Sequence, residues 1–535
     1  MTAKTLMIQG TGSSVGKSVM VAALCRIFKQ DGLSVAPFKS QNMALNSFVT
    51  REGGEMGRAQ VVQAQAAGIE PIVDMNPILL KPEADARCQV VVMGHPALTC
   101  PAREYYLHTP RLLLIASEAL ERLRSSYDLV IIEGAGSPAE INLRHHEIVN
   151  MRVAKLAQAP VLLVGDIDKG GVFASLVGTL ALLDEEEAAL IKGFIINKFR
   201  GDISILKPGL DYLEQRTGRP VLGVVPYYHD IIIGEEDSIY RPEASASSAG
   251  PREAPGGKVV DIAVIHFPRI SNSTDFEPLQ QEPGVRLRYI TAPYEMGSPD
   301  AIILPGTKST IADLAALHRS GLAQTVVERA RAGTPVVGIC GGYQMLGRRI
   351  SDPAHVESDE ESVAGLGLLD VDTVFQAEKA TSQVEAEVVC NRGLLQGLKG
   401  QRLTGYEIHM GQSFPGKEQA AADASAPFRI VRCPEPVEGS TPSGAARYSD
   451  GAINEAGYIL GTYLHGLFDN TSFRRAFLAA LHRRRALPEA EAGALSFNGR
   501  TPPSREEQFD RLAELVRRSL KMDLVYKICR LRGWG

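Results

Sequence analysis

Short apolar runs recur along the first part of the chain, each followed by a stretch of helical period. Residues 6–9, 34–38, 129–132, 161–164, 194–196 and 221–225 read as strands buried on both faces. Residues 18–30, 112–124 and 172–183 repeat their apolar positions at helical spacing. Strand and helix in alternation predict a parallel sheet with helices on both sides. The pattern breaks at 241–257, where small, charged, proline and glycine residues leave too little apolar surface to build a core, so the segment reads as a linker. A second α/β series starts at 259–267 and continues through 301–304 and 335–339. The expectation is therefore two doubly wound α/β domains, 1–240 and 258–480. A loose insertion at about 415–451 and a helical, basic extension over 481–535 complete the chain. Arg483, Arg484 and Arg485 in that extension read as a solvated helix face.

The first apolar run leads into GTGSSVGKS at 10–18, and a helix pattern follows at once. Glycines let a turn aim its N–H groups at an anion, and the helix N-terminus adds partial positive charge. Gly12, Val15, Gly16, Lys17 and Ser18 are the candidate nucleotide cradle, with Lys17 on the outer phosphates and Ser18 on Mg²⁺. Thr11 stands where the strict phosphate-loop pattern has its first glycine, but Gly16, Lys17 and Ser18 keep the mechanical parts. Glu133 ends a strand at the edge where parallel sheets meet ligands, and it is a candidate Mg²⁺ ligand. Asp166 and Asp168 end the next strand and serve either a metal, the substrate or the loop itself. Asn197 ends a further strand and is a candidate reader of the nucleotide base, and Lys39 is a candidate neutraliser of phosphate or carboxylate.

The second signal is PVVGICGGYQMLG at 335–347, an apolar strand running through Gly338, Cys340 and Gly342 into a helix. A nucleophile between small neighbours on a strand-to-helix turn is the geometry of a nucleophile elbow, here with cysteine. The amide after Cys340 would face an oxyanion, and the Leu304, Pro305, Gly306 loop is a candidate source of a further donor. The thiol needs a base. His465, after a short apolar strand, is the first candidate, and His409 competes with it.

Composition narrows the class without choosing it. The 535 residues carry a net charge of −5, which supplies no global attraction to nucleic acid or to an anionic membrane. Seven irregularly spaced cysteines with no C-x-x-C pair suit neither a disulfide framework nor a zinc site. The opening apolar run is too short for a secretory leader, and no run is long enough to span a bilayer, so the expected compartment is the cytoplasm.

The second half, with its cysteine elbow, Gly306 loop and His465 segment, resembles the class I glutamine amidotransferases, which implies a flavodoxin-like domain. Leu467 stands where the commonest members carry the third, acidic triad residue. The first half is similar to P-loop NTPase-like ligases of the dethiobiotin synthetase type. The segments 38–47 (FKSQNMALNS), 55–60 (EMGRAQ), 76–82 (NPILLKP), 133–140 (EGAGSPAE) and 166–171 (DIDKGG) resemble the cobyric acid synthase family in particular. That resemblance implies ATP, Mg²⁺ and glutamine as reactants, with Glu55 as a further Mg²⁺ ligand. It implies amidation of the b, d, e and g carboxylates of adenosylcobyrinic acid a,c-diamide through acyl phosphates. Cobyrinate a,c-diamide synthase and other amide synthetases of the same build are the alternatives. No nucleic-acid or membrane partner is implied, and the oligomeric state is left open.

Overall fold

A computed structural model of the chain describes residues 2–84, 87–228, 231, 259–416, 426–432, 447–484 and 504–531. The predicted linker at 241–257 and Arg485 lie outside the described residues. The chain forms two compact units. One is Met1–Ala44, Glu55–Ile239 and Pro503–Gly535; the other is Leu45–Gly54 and Tyr240–Pro502. Both units therefore differ from the expected contiguous halves. Among the described residues no helix is long and apolar enough to cross a membrane.

The first unit is built on a six-stranded sheet in the order Val221–Pro226, Ile191–Phe199, Val161–Asp166, Lys4–Gly10, Leu129–Glu133, Val35–Phe38. Every pairing in it is parallel. All six expected strands are present, because each is apolar enough to be buried on both faces. Leu6 and Ile8 lie in one core cluster, and Met7 between them is equally buried. The helix Lys17–Gln30 sinks nine of its residues, Val19 to Cys25 with Ile27 and Phe28, into that core. The C-terminal helices Arg505–Ser519 and Met522–Ile528 join the same cluster through Phe509, Leu512, Val516 and Val525. The extension is thus an integral part of this core. A smaller four-stranded sheet, Gln41–Met43, Ile78–Ala84, Arg87–Val92 and His95–Pro101, was not anticipated.

The second unit repeats the logic. Its sheet runs Val285–Ile290, Val260–Ile265, Ala301–Leu304, Val336–Ile339, Ile459–Thr462, Ala452–Ile453, parallel except for the last strand. Ile262 and Val264 face one core cluster, while Ala263 and Ile265 face another. The period-two alternation that exposes half of a solvated strand here fills two cores. A second sheet carries the long antiparallel pair Val371–Val388 and Arg402–Pro415. Phe428–Arg432 and Arg447–Asp450 extend it, so these parts of the expected loose insertion are paired strands. The segments 417–425 and 433–446 lie outside the described residues.

Candidate functional site

In the first unit the phosphate loop leaves the sheet at Gly10 and turns through left-handed backbone at Ser14 (φ 58°) and Gly16 (φ 99°). A Cβ on Gly16 would sit 2.1 Å from Asn197 Nδ2 as well as in a strained conformation, so the loop requires glycine there. Asn197 is placed beneath this turn, where its Nδ2 donates to Val15 O at 2.9 Å. Its Oδ1 is buried and has no hydrogen-bond partner among the described residues. The side chain proposed as a base reader is therefore engaged with the loop backbone, and its neighbour Lys198 bonds Ser14 O at 2.6 Å. Lys17 Nζ lies 2.9 Å from Gly12 O and 3.3 Å from Gly136 O, folded over the cradle.

Glu133 is paired in register with Ile8 on the strand leading into the loop. Ser18 Oγ donates to its Oε1 at 2.8 Å, Lys39 Nζ stands 3.1 Å from the same oxygen, and Gln63 donates to Oε2. The hydroxyl and the carboxylate expected to share Mg²⁺ are thus adjacent, and Glu133 is only 1% exposed. An alcohol beside a carboxylate is a hard oxygen donor set that fits Mg²⁺. Lys39 is buried on Glu133 and is not a solvated lysine. Glu55, also buried, makes an ion pair with Lys81. Asp166 accepts from the Asp168 amide at 2.9 Å and stands 3.4 Å from Lys198 Nζ, while Asp168 pairs with Arg200, after the neighbouring strand, at 3.0 Å.

In the second unit Cys340 follows the strand Val336–Ile339 and precedes the helix Gly341–Leu346. Its backbone is at φ 53°, ψ −112°, a strained conformation for a residue with a side chain. Small neighbours make that turn possible. A Cβ on Gly342 would fall 2.0 Å from Leu304 O, and one on Gly338 would fall 2.7 Å from Gly342 O. Cys340 Sγ lies 3.5 Å from Ile408 O.

His465, fully buried, comes from the loop after Ile459–Thr462. Its Nδ1 is 2.7 Å from Asp275 Oδ2, and the following amide, Gly466 N, donates to Asp275 Oδ1 at 3.2 Å. An Nδ1–H donated to a carboxylate leaves Nε2 as the reactive nitrogen. Nε2 is buried and has no hydrogen bond of ordinary geometry among the described residues. Burial alone would lower the pKa of this imidazole. Asp275, by charge and hydrogen bond, and then Cys340 outweigh burial, so the ring is pushed up to about 10. Tyr406 stacks on it, with ring centroids 5.1 Å apart, and Gly306 leaves room beside Cε1. His409 is placed differently, bonded through Nδ1 to Gly411 O at 2.7 Å and stacked on Tyr463.

The residue that sequence reasoning missed is Asp275. It lies in the short 3₁₀ turn Ser273–Phe276, in NSTDF at 272–276, and makes the contact with His465 that Leu467 cannot make. A carboxylate 190 residues before its histidine leaves no spacing signal in one sequence.

Comparison with known proteins covers both sites. Residues 6–238 match the CobQ/CobB/MinD/ParA nucleotide binding domain, and residues 261–473 match the CobB/CobQ-like glutamine amidotransferase domain. A cobyric acid synthase of Dehalococcoides mccartyi (strain CBDB1) is 54% identical over 526 residues, covering 98% of this chain and 99% of that one. One of Sorangium cellulosum (strain So ce56) is 52% identical over 539 residues, covering 99% of each chain. One of Moorella thermoacetica is 51% identical over 521 residues, covering 97% of this chain and 96% of that one. Identity at this level over nearly the whole chain, together with the two matching domains, places the chain in the cobyric acid synthase family.

Proposed function

We propose that the chain uses ATP to activate peripheral carboxylates of adenosylcobyrinic acid a,c-diamide and amidates them with ammonia taken from glutamine. Its reactants are small molecules of the cytoplasm, where we place it. The observation that carries the reading is His465, oriented by Asp275 and presenting a bare Nε2 in the company of Cys340. A buried nucleophile and base held in this way have no other evident use than covalent catalysis.

In the glutaminase reaction the Cys340 thiol gives its proton to His465 Nε2 before the attack, and the thiolate Sγ then attacks the side-chain amide carbon of glutamine. The tetrahedral oxyanion faces the Gly341 N–H, which as a first-turn amide has no acceptor within its own helix. His465, kept protonated by Asp275, then passes its proton to the departing ammonia. Water attacks the thioester, releases glutamate and regenerates the thiol.

In the ligase reaction the backbone of residues 12–18 holds the triphosphate. Lys17 leaves its carbonyl partners to meet the charge that moves with the γ-phosphoryl group. Ser18 and Glu133 are the residues that would hold Mg²⁺, which neutralises phosphate charge when bound. Lys39 orients Glu133, and Asn197 holds the loop by Val15 O. The carboxylate oxygen attacks the γ-phosphorus, ADP leaves, and ammonia displaces phosphate from the acyl phosphate to give the amide.

The test is to incubate the protein with ATP, Mg²⁺, glutamine and the a,c-diamide and to follow product mass. The expected mass falls in equal steps, each the exchange of a hydroxyl for an amino group. Turnover of cobyrinic acid with the a,c-diamide left untouched would overturn the substrate assignment. Cys340→Ala should lose glutamine-dependent synthesis and keep synthesis from ammonium. Loss of both in a folded protein would overturn the division of labour.

A further inference from the structure

The segment FKSQNMALNS at 38–47 stands out in the sequence, and its last residues find no use in ATP chemistry. Leu45–Gly54 lies early in the chain, yet it belongs to the glutaminase unit. Asn46 Oδ1 accepts from Ser273 N at 3.0 Å and from Ser273 Oγ at 3.3 Å. Ser47 N donates to Asn272 Oδ1 at 2.9 Å. Asn272 and Ser273 open the same short turn that carries Asp275, and Asn272 Nδ2 lies 3.5 Å from His465 Nδ1. Asn272 itself has left-handed backbone (φ 54°), which needs outside support to persist.

The segment also meets the imidazole's neighbour. Tyr406 stacks on His465 and exchanges two backbone hydrogen bonds with it, Tyr406 N to His465 O and His465 N to Tyr406 O. Tyr406 OH donates to Ser47 O at 3.3 Å, and the Phe48 ring lies 5.5 Å from the Tyr406 ring. Val49 is fully buried in a small cluster with Tyr406 and Ile408, and Ile408 O is the atom that meets Cys340 Sγ. Val49 O accepts from Gln383 Nε2 at 2.9 Å, and a turn closed by Thr50 N to Gly54 O ends the segment. Three supports of the reactive groups therefore meet residues 46–49: the Asp275 turn, the ring on His465 and the strand carrying Ile408.

We propose that residues 46–48 are positioning residues of the glutaminase, holding Asp275 and Tyr406 in the geometry that keeps His465 aimed at Cys340. The inference rests on the Cys340–His465 reading above.

The experiment uses the full-length protein with glutamine as the probe, comparing Asn46→Ala, Asn46→Asp, Phe48→Ala and Cys340→Ala. Asn46→Ala removes the acceptor for Ser273, whereas Asn46→Asp keeps it. Misplacement of a catalytic pair by a fraction of an ångström costs rate more than binding, so Asn46→Ala and Phe48→Ala should lower kcat roughly tenfold to a hundredfold. KM for glutamine should be unchanged, and Asn46→Asp should restore most of kcat. Unchanged kcat in Asn46→Ala would overturn the proposal. So would a fall in kcat that tracks a fall in thermal midpoint and is not restored by Asn46→Asp, since the segment would then be structural only. If Cys340→Ala still cleaves glutamine, it is the underlying glutaminase reading that fails.

Discussion

His465 shows how one neighbour decides what a buried residue does. An imidazole with no exposed surface would ordinarily be neutral, because burial penalises the charged form. Asp275, at 2.7 Å, reverses that and fixes the tautomer as well. Asp275→Asn keeps the shape but removes the charge and allows the wrong tautomer. Glutaminase kcat should therefore fall by roughly 10²–10⁴, as when the acid of a hydrolytic triad is replaced by its amide. Steady-state glutamate release measures it, and a fall of less than threefold would show that Asp275 is not the third member. The same pair predicts a pH dependence of stability. The folded-state pKa, about 10, lies above the ordinary value of 6.5. Protonation therefore stabilises the fold fully below about 6.5, and the contribution declines as pH rises from there to about 10. Thermal midpoints taken across that window should fall more steeply in the parent protein than in Asp275→Asn. Parallel curves would contradict the shift. Single residues were legible where chemistry is local: Lys17, Ser18 and Cys340 sit in motifs whose spacing is itself the mechanism. Asp275 and Asn197 were not, since their roles come from partners brought close only by the fold.

At the scale of elements, what was readable was whatever is buried on both sides. The central strands of both units were visible because a strand with two covered faces has to be apolar throughout. Val371–Val388 is covered differently: buried Val371, Thr373 and Phe375 alternate with less buried residues, and polar side chains fill its middle. A pattern of that kind in a stretch with glutamates and glutamines resembles a loop until its partner strand is known. The cysteine elbow is the element whose sequence and geometry agree most closely. Gly342→Ala tests it, since the added Cβ would fall 2.0 Å from a backbone oxygen of the neighbouring strand, which has no flexible end to move aside. The variant should fold around a displaced Cys340 and lose glutamine cleavage by roughly two orders of magnitude or more. Synthesis from ammonium should persist. Near-parental glutamine cleavage would mean that the turn has more room than the packing shows.

The whole chain is not laid out as two successive domains. Its first unit is left at Ala44, resumed at Glu55, left again near Ile239 and finished by residues from Pro503 onward. The last segment completes the core around the helix that follows the phosphate loop. Phe509, Leu512 and Val516 enter that core with Leu24 and Phe28, and Tyr526 meets Phe28 edge-on at 5.8 Å. Arg26, 7% exposed, is closed off by Glu506 and Asp510, each at 2.7 Å. A fragment ending at residue 258, just past the linker that composition suggests at 241–257, would expose all of this. Each large apolar side chain returned to water costs about 1.5–3 kcal/mol. Four or five of them approach the roughly 5–15 kcal/mol by which a domain is stable at all. The fragment 1–258 should therefore be unfolded or aggregated, and adding residues 503–535 as a second chain should restore a cooperative transition in urea. A fragment that unfolds by itself at the parental midpoint would show that the terminal helices only cover a core already complete. Failure in the predicted direction would mean that the nucleotide site depends on the last residues of the chain to be held together, with Lys17 and Ser18 at the start of the very helix those residues enclose.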